Sequence, residues 1–164
     1  MQKPMFDPRA GYPSVVPYVR YRDPAAAIAW LSSVLGAHEA IRMTLPDGNI
    51  GHTELVVGSH VISVGLAAND NLGTSPEDRS AVRAMTVVFV ADVDAATNTA
   101  VELGGTLIDS PTDMPWGLRQ SIVADAEGHV WELSHHHHDV PLSDWGAEKT
   151  GSWIEPSPSA PRNA

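Results

Sequence analysis

The stretch that decides the fold is PWGLRQSIVADAEGHVWELS, residues 115–134. Residues 118–124 and 129–133 are rich in β-branched and other apolar side chains, and the polar sequence 125–128 separates them. Two such runs around a polar turn predict a pair of antiparallel strands. Trp131 and Glu132 are consecutive in the second run, so their side chains point to opposite faces of the predicted sheet.

The elements upstream of this pair occur in the same order in both halves of the chain. Asp92 predicts the N-cap of a helix that follows a strand at residues 85–90, and a short strand follows the helix. In the first half, Asp23 caps a helix after the strand at 14–21, and three strands follow. Asp23 precedes Asp92 by 69 residues, so the order strand, helix and three strands is repeated.

A single βαβββ unit leaves one face of its sheet uncovered, which favours pairing of two units. We therefore predict an α+β fold in which two βαβββ modules pair into a curved sheet around a cavity. The alternative is an α+β domain whose halves are similar by coincidence. The prediction places one domain at 1–140, with module one at 14–65, a polar linker at 66–83 and module two at 84–135. Residues 141–164 form a Pro/Ser-rich C-terminal tail.

Composition narrows the classes of function. The 164-residue chain has a net charge of −10, which disfavours binding to nucleic acid or to anionic membranes, since both need a basic surface. It contains no cysteine, so disulfides, thiolate metal sites and a cysteine nucleophile are excluded. The sequence shows neither the apolar run of a signal peptide nor a membrane span, and we expect a cytoplasmic protein.

Three further segments, together with the stretch at 115–134, resemble one superfamily. They are RDPAAAIAWLSSVLGA (22–37), GHTELVVGSHVISVG (51–65) and FVADVDAATNTAVELGG (89–105). The chain is similar over residues 14–145 to the glyoxalase/bleomycin resistance/dioxygenase (vicinal oxygen chelate) superfamily, particularly its PhnB-like branch. Such proteins include lyases, isomerases, epimerases, dioxygenases and metal-free proteins that sequester antibiotics, and they commonly form homodimers. The resemblance thus implies the fold and a homodimer, but several functions.

The resemblance also assigns the positions of a metal site. Metal-dependent members take four ligands, from the first and last strands of each module. The equivalent positions here are Val16, Ser63, Met85 and Glu132. Of these side chains, Glu132 alone is a competent ligand for a divalent ion that prefers imidazole or carboxylate. We therefore expect no metal and no other cofactor.

Two groups of histidines offer other routes to a metal. His52 and Glu54 alternate onto one face of a strand and, with Glu132, would form a rebuilt centre if all three pointed inward. Alternatively, they line a polar cavity or an exposed face. Residues 135–138 are four consecutive histidines, a pattern that suits metal scavenging or a solvated strand end. Consecutive side chains alternate between faces, so at most two of the four face one ion.

Ligand binding is the function that the sequence favours. Trp116 lies on the loop before a strand, where the resemblance places the cavity mouth and where an aromatic ring can stack on a flat ligand. Arg119 either pairs with an anionic ligand group or is an exposed charge. The main hypothesis is metal-independent binding of a small, partly aromatic metabolite or antibiotic by His52, Glu54, Trp116, Arg119 and Glu132. The alternative is an enzyme that uses Glu132 as a base, or the rebuilt His52/Glu54/Glu132 centre.

Overall fold

The computed structural model describes residues 15–67 and 84–147. Most of the linker predicted at 66–83, and residues 148–164 of the tail, lie outside the described residues. The elements run β1 (Tyr18–Tyr21), α1 (Pro24–Leu35), β2 (His38–Thr44), β3 (Ile50–Val57), β4 (His60–Leu66), β5 (Met85–Phe89), α2 (Val93–Glu102), β6 (Thr106–Asp113), β7 (Leu118–Ala124) and β8 (Val130–His136). A short 3-10 helix at Leu142–Trp145 follows, within the segment predicted as tail.

The strands form two four-stranded mixed sheets of the same topology. The first has the order β1-β4-β3-β2 and the second the order β5-β8-β7-β6. In each sheet, the first strand of the module runs parallel to the last one, and the other neighbours are antiparallel. The predicted α+β fold of two βαβββ modules is confirmed. None of the helices in the described ranges is long and apolar enough to cross a membrane.

Local sequence signals explain where the elements begin and end. Asp23 Oδ1 accepts a hydrogen bond from the Ala26 N–H at 3.0 Å, and Asp92 caps α2 in the same way. Gly36, at φ 65°, ends α1 in the left-handed conformation that glycine adopts without strain. Strand β6 runs through Pro111. It is an edge strand with an irregular register at this point, where a missing N–H is tolerated.

The two modules share one hydrophobic core. The helices contact each other, and the Trp30 indole N–H donates to the Ala100 carbonyl at 3.2 Å. The rings of Trp30 and Trp131 lie 6.3 Å apart, on a helix of one module and a strand of the other. Leu31 and Leu133 are fully buried in this core. Removing each from water contributes about 2 kcal/mol, so the core itself holds the modules together.

A buried carboxylate also joins the modules. Asp125 Oδ2 accepts hydrogen bonds from the Tyr21 hydroxyl at 2.6 Å and from the Trp131 indole at 3.1 Å. Its Oδ1 accepts the N–H groups of Glu127 and His129, each at 3.0 Å. Tyr21 ends β1 of module one, 104 residues away in sequence. We call this set of residues the Asp125 cluster.

Glu127 and His129, from the same turn, bond to the backbone at the end of β1 and just after it. Glu127 accepts the N–H groups of Arg22 and Asp23, each at 2.8 Å. The His129 ring nitrogen Nε2 lies 2.8 Å from the Arg20 carbonyl. The sequence DAEGHVW at 125–131 thus connects the two modules. The carboxylates of Asp125 and Glu127 stabilise this connection.

Candidate functional site

The face of the second sheet that points away from α2 carries the candidate site. Trp131 and Leu133 belong to the core, so Glu132 and Ser134 point to the opposite face. The strand register places two rows of side chains across this face: Val87, Glu132, Ile122 and Asp109, and next to them Phe89, Ser134, Gln120 and Thr112.

A cleft of about 300 Å³ opens on this face. Its lining includes Asp109, Thr112, Met114, Gln120, Ile122 and Glu132. The volume is at the lower end of the range for small-molecule sites.

Glu132 is held in place by side chains of two strands. The amide Nε2 of Gln120 donates to Glu132 Oε1, and the Ser134 hydroxyl donates to the same oxygen at 2.8 Å. The Trp116 indole N–H donates to Gln120 Oε1 at 3.1 Å, which orients the amide so that its NH₂ faces the carboxylate. We call these residues the Glu132 network. Within the described ranges, no hydrogen bond reaches Glu132 Oε2.

Gln120 and Ser134 were not identified from the sequence. Gln120 is only 8% exposed, and Ser134 is fully buried, so each needs partners to offset its lost hydration. Gln120 Nε2 also lies 3.1 Å from the Ser134 hydroxyl. The sequence signal that could have identified them is the short turn at 125–129. This turn sets the strand register that pairs Gln120 with Ser134 and places both residues beside Glu132.

Trp116 stands beside the cleft because of the turn that follows it. Gly117 has φ 84°, and a Cβ there would lie 2.0 Å from the His138 carbonyl oxygen. Its own carbonyl accepts the N–H groups of residues 137 and 138. The Trp145 ring lies 6.3 Å from the Trp116 ring, so the chain after β8 folds back next to Trp116. A residue other than glycine would displace this segment.

The structure does not bring Arg119 to the cleft. Arg119 alternates with Gln120 and bonds to the N-terminal turn of α2, donating to both oxygens of Asp94 at 2.6 and 2.7 Å. It also donates to Asp113 at 2.8 Å. These hydrogen bonds raise the pKa of Arg119 and, in turn, hold the pKa of Asp94 below its usual range. Arg119 therefore connects α2 to the sheet and does not face a ligand in the cleft.

His52 and Glu54 lie on the first sheet. His52 Nε2 is 3.6 Å from Glu54 Oε1, and the His52 ring stacks against Tyr18 at 5.7 Å. Glu54 is buried, and its neighbour across the strands is Ser63. The structure thus brings His52, Glu54 and Ser63 together on one sheet, and Glu132 with Trp116 on the other.

A divalent ion needs several imidazole or carboxylate groups close together. In residues 15–67 and 84–147, no three His, Asp or Glu side chains lie close enough to hold a metal ion. The rebuilt His52/Glu54/Glu132 centre is therefore not assembled within this part of the chain. At the positions that the resemblance assigns to a metal, Val16 and Met85 are not ligands for a hard ion, and Glu132 Oε1 already accepts two hydrogen bonds. These residues do not fit the metal.

The four consecutive histidines have separate contacts. His135 Nδ1 lies 3.0 Å from the Val90 carbonyl, and His136 pairs with Asp139 at 2.9 Å. The rings of His137 and His138 meet edge to face at 5.2 Å. These separate contacts agree with the alternation of side chains between the two faces of a strand, which ends in this segment.

Comparisons with known proteins agree with this architecture. Residues 13–133 match the model of the Glyoxalase/Bleomycin resistance protein/Dioxygenase superfamily. The crystal structure of TioX from Micromonospora sp. ML1 is 30% identical with a TM-score of 0.59, and the match covers 74% of this chain and 97% of TioX. A family enzyme from Burkholderia phytofirmans PsJN is 18% identical with a TM-score of 0.57, covering 74% and 96% of the two chains, and shows the fold alone. The uncharacterized protein Mb0911c of Mycobacterium bovis is 28% identical over 124 residues, which are 74% of this chain and 82% of that protein.

Proposed function

This chain belongs to the glyoxalase/bleomycin resistance/dioxygenase superfamily, and we propose that it binds a small, partly aromatic molecule without a metal. The ligand, a metabolite or an antibiotic, would lie in the cleft of the second sheet. The observation that carries the proposal is the Glu132 network, because it converts the one carboxylate at an assigned ligand position into a fixed hydrogen-bonding group. The PhnB-like motifs make that branch our proposed placement within the superfamily.

Two properties of the cleft support binding of an organic molecule. The polar groups of the Glu132 network are fixed by one another, as in preformed sites that orient a ligand. Next to Glu132 and Ser134, the edge strand β5 presents Val87 and Phe89, which are 49% and 57% exposed. Exposed apolar side chains beside a cleft offer area for an apolar ligand to bury.

The test combines a metal analysis with a binding screen. Protein purified without an affinity tag is analysed for bound metals, and its melting temperature is measured against a collection of planar aromatic compounds. We expect less than a tenth of an equivalent of metal and a rise in melting temperature with some compounds. The rise in melting temperature should be lost in Ile122→Trp, because the larger side chain fills the cleft. It should be retained in Val101→Trp, because Val101 lies on the exposed face of α2. One equivalent of metal that is lost in Glu132→Gln would overturn the proposal.

The free oxygen of Glu132 favours a second function, general-base catalysis on a carbon acid. No hydrogen bond reaches Oε2 within the described residues, while Oε1 accepts two, so Oε2 can accept a proton. Carbonyl compounds found by the screen are incubated with the protein in D₂O. Deuterium incorporation next to the carbonyl that disappears in Glu132→Gln would support catalysis, and the absence of exchange with every bound compound would reject it.

A further inference from the structure

The charged side chains among the described lining residues of the cleft are all acidic. Asp109 and Glu132 line it, and no described lining residue is basic. The register places Asp109 and Glu132 on either side of Ile122, two strands apart, which is about 10 Å between their backbones. The nearest basic side chain along β7, Arg119, is bonded to Asp94 and Asp113 on the other side of the sheet.

The side-chain donors around Glu132 are already used. Gln120 donates to Glu132 and Ser134, and Ser134 donates to Glu132. The Thr112 hydroxyl donates to the Ser110 carbonyl at 2.9 Å. What these groups leave for a ligand is an acceptor, Glu132 Oε2. A site with free acceptors and two carboxylates selects a donor, and an ammonium group offers donors without an acceptor.

Apolar side chains flank the same carboxylate. Val87 is the strand neighbour of Glu132, Phe89 is the neighbour of Ser134, and Met114 lines the cleft. An aromatic ring beside a carboxylate adds a second attraction for a cation, through its negative face. The polar and apolar parts together suit a ligand with a positively charged nitrogen and an apolar body.

We propose that the cleft selects a small organic cation, whose protonated nitrogen donates to Glu132 Oε2 and whose apolar body lies along Val87 and Phe89. This inference rests on the proposed binding function and specifies its ligand class. Glu132 and Asp109 determine the charge preference, and Gln120 positions Glu132.

The experiment uses three planar probes of nearly the same shape and different charge. They are 9-aminoacridine, which is a cation at pH 7.5, neutral acridine, and the anion acridine-9-carboxylate. Fluorescence titrations measure their dissociation constants with the full chain. We expect the cation to bind at least tenfold more tightly than acridine, and the anion to bind most weakly. Raising the salt concentration should weaken binding of the cation and leave that of acridine unchanged.

Variants separate the cleft from the overall charge of the protein. Glu132→Gln should weaken the cation about tenfold and leave acridine unchanged, and Asp109→Asn should act in the same direction. Glu102→Gln removes the same charge from the exposed end of α2 and should change neither. If acridine binds but the cation binds no more tightly, or Glu102→Gln acts like Glu132→Gln, the inference is overturned and the proposed function stands. If none of the three probes binds, the inference is overturned, and the screen of planar aromatic compounds decides the proposed function.

Discussion

The Asp125 cluster makes a quantitative prediction through Tyr21. Tyr21→Phe removes one hydroxyl and keeps the ring, which packs edge to face against His129 at 4.6 Å. The hydroxyl donates to Asp125 at 2.6 Å, and both side chains are buried. The substitution therefore tests a single hydrogen bond between the two modules.

The expected cost at pH 7 follows from the kind of bond. A buried hydrogen bond to a charged acceptor contributes about 1.5–3 kcal/mol to the free energy of unfolding. Asp125 keeps three other donors in the variant, from Trp131 and from the N–H groups of Glu127 and His129. Because the carboxylate is not left without partners, we expect a loss of about 2 kcal/mol.

The same bond predicts a dependence on pH. Burial, followed by the negative charge of Asp125, raises the pKa of Tyr21 above its usual range. In the unfolded chain, tyrosine loses its proton at about pH 10, whereas Tyr21 in the folded protein keeps it. The folded state then binds more protons, so its stability falls as the pH rises above about 10, by about 1.4 kcal/mol per unit. Tyr21→Phe lacks this contribution, so its loss of stability relative to wild type shrinks by about 1.4 kcal/mol per pH unit above about pH 10.

Urea unfolding at pH 7, 9, 10.5 and 11 measures both effects. Tyr18→Phe is the matched control, because the Tyr18 ring is 54% exposed and its hydroxyl lies 3.5 Å from His52. We expect this control to change the free energy of unfolding by less than about 0.5 kcal/mol at pH 7. A Tyr21→Phe cost as small as that of the control, or parallel pH curves for the variant and the wild type, would refute the role assigned to the Asp125 cluster.

Three further predictions concern the site and its surroundings. Arg119→Met should lower the melting temperature, because α2 loses its ion pair with the sheet, and should leave acridine binding unchanged. Weaker acridine binding would mean that Arg119 contacts the ligand. Gly117→Ala should weaken probe binding and change the fluorescence of Trp116, because the new Cβ meets the His138 carbonyl; an unchanged spectrum and affinity would contradict this. We expect a homodimer, so sedimentation velocity should show a dimer for wild type. A monomeric wild type at micromolar concentration would count against it.

The sequence by itself determined the elements and their order. The helix caps at Asp23 and Asp92 are local signals, and each appears in the structure where the pattern predicts it. The alternation of Trp131 and Glu132 also depends only on strand geometry.

Only the tertiary structure decided which of these residues meet. Gln120 reaches Glu132 through the register of β7 and β8, and Tyr21 reaches Asp125 across 104 residues and two modules. The structure places His52 and Glu54 on one sheet and Glu132 on the other, and it turns Arg119 toward α2. Such contacts depend on non-local pairing and on how the modules pack, and no short segment of sequence contains that information.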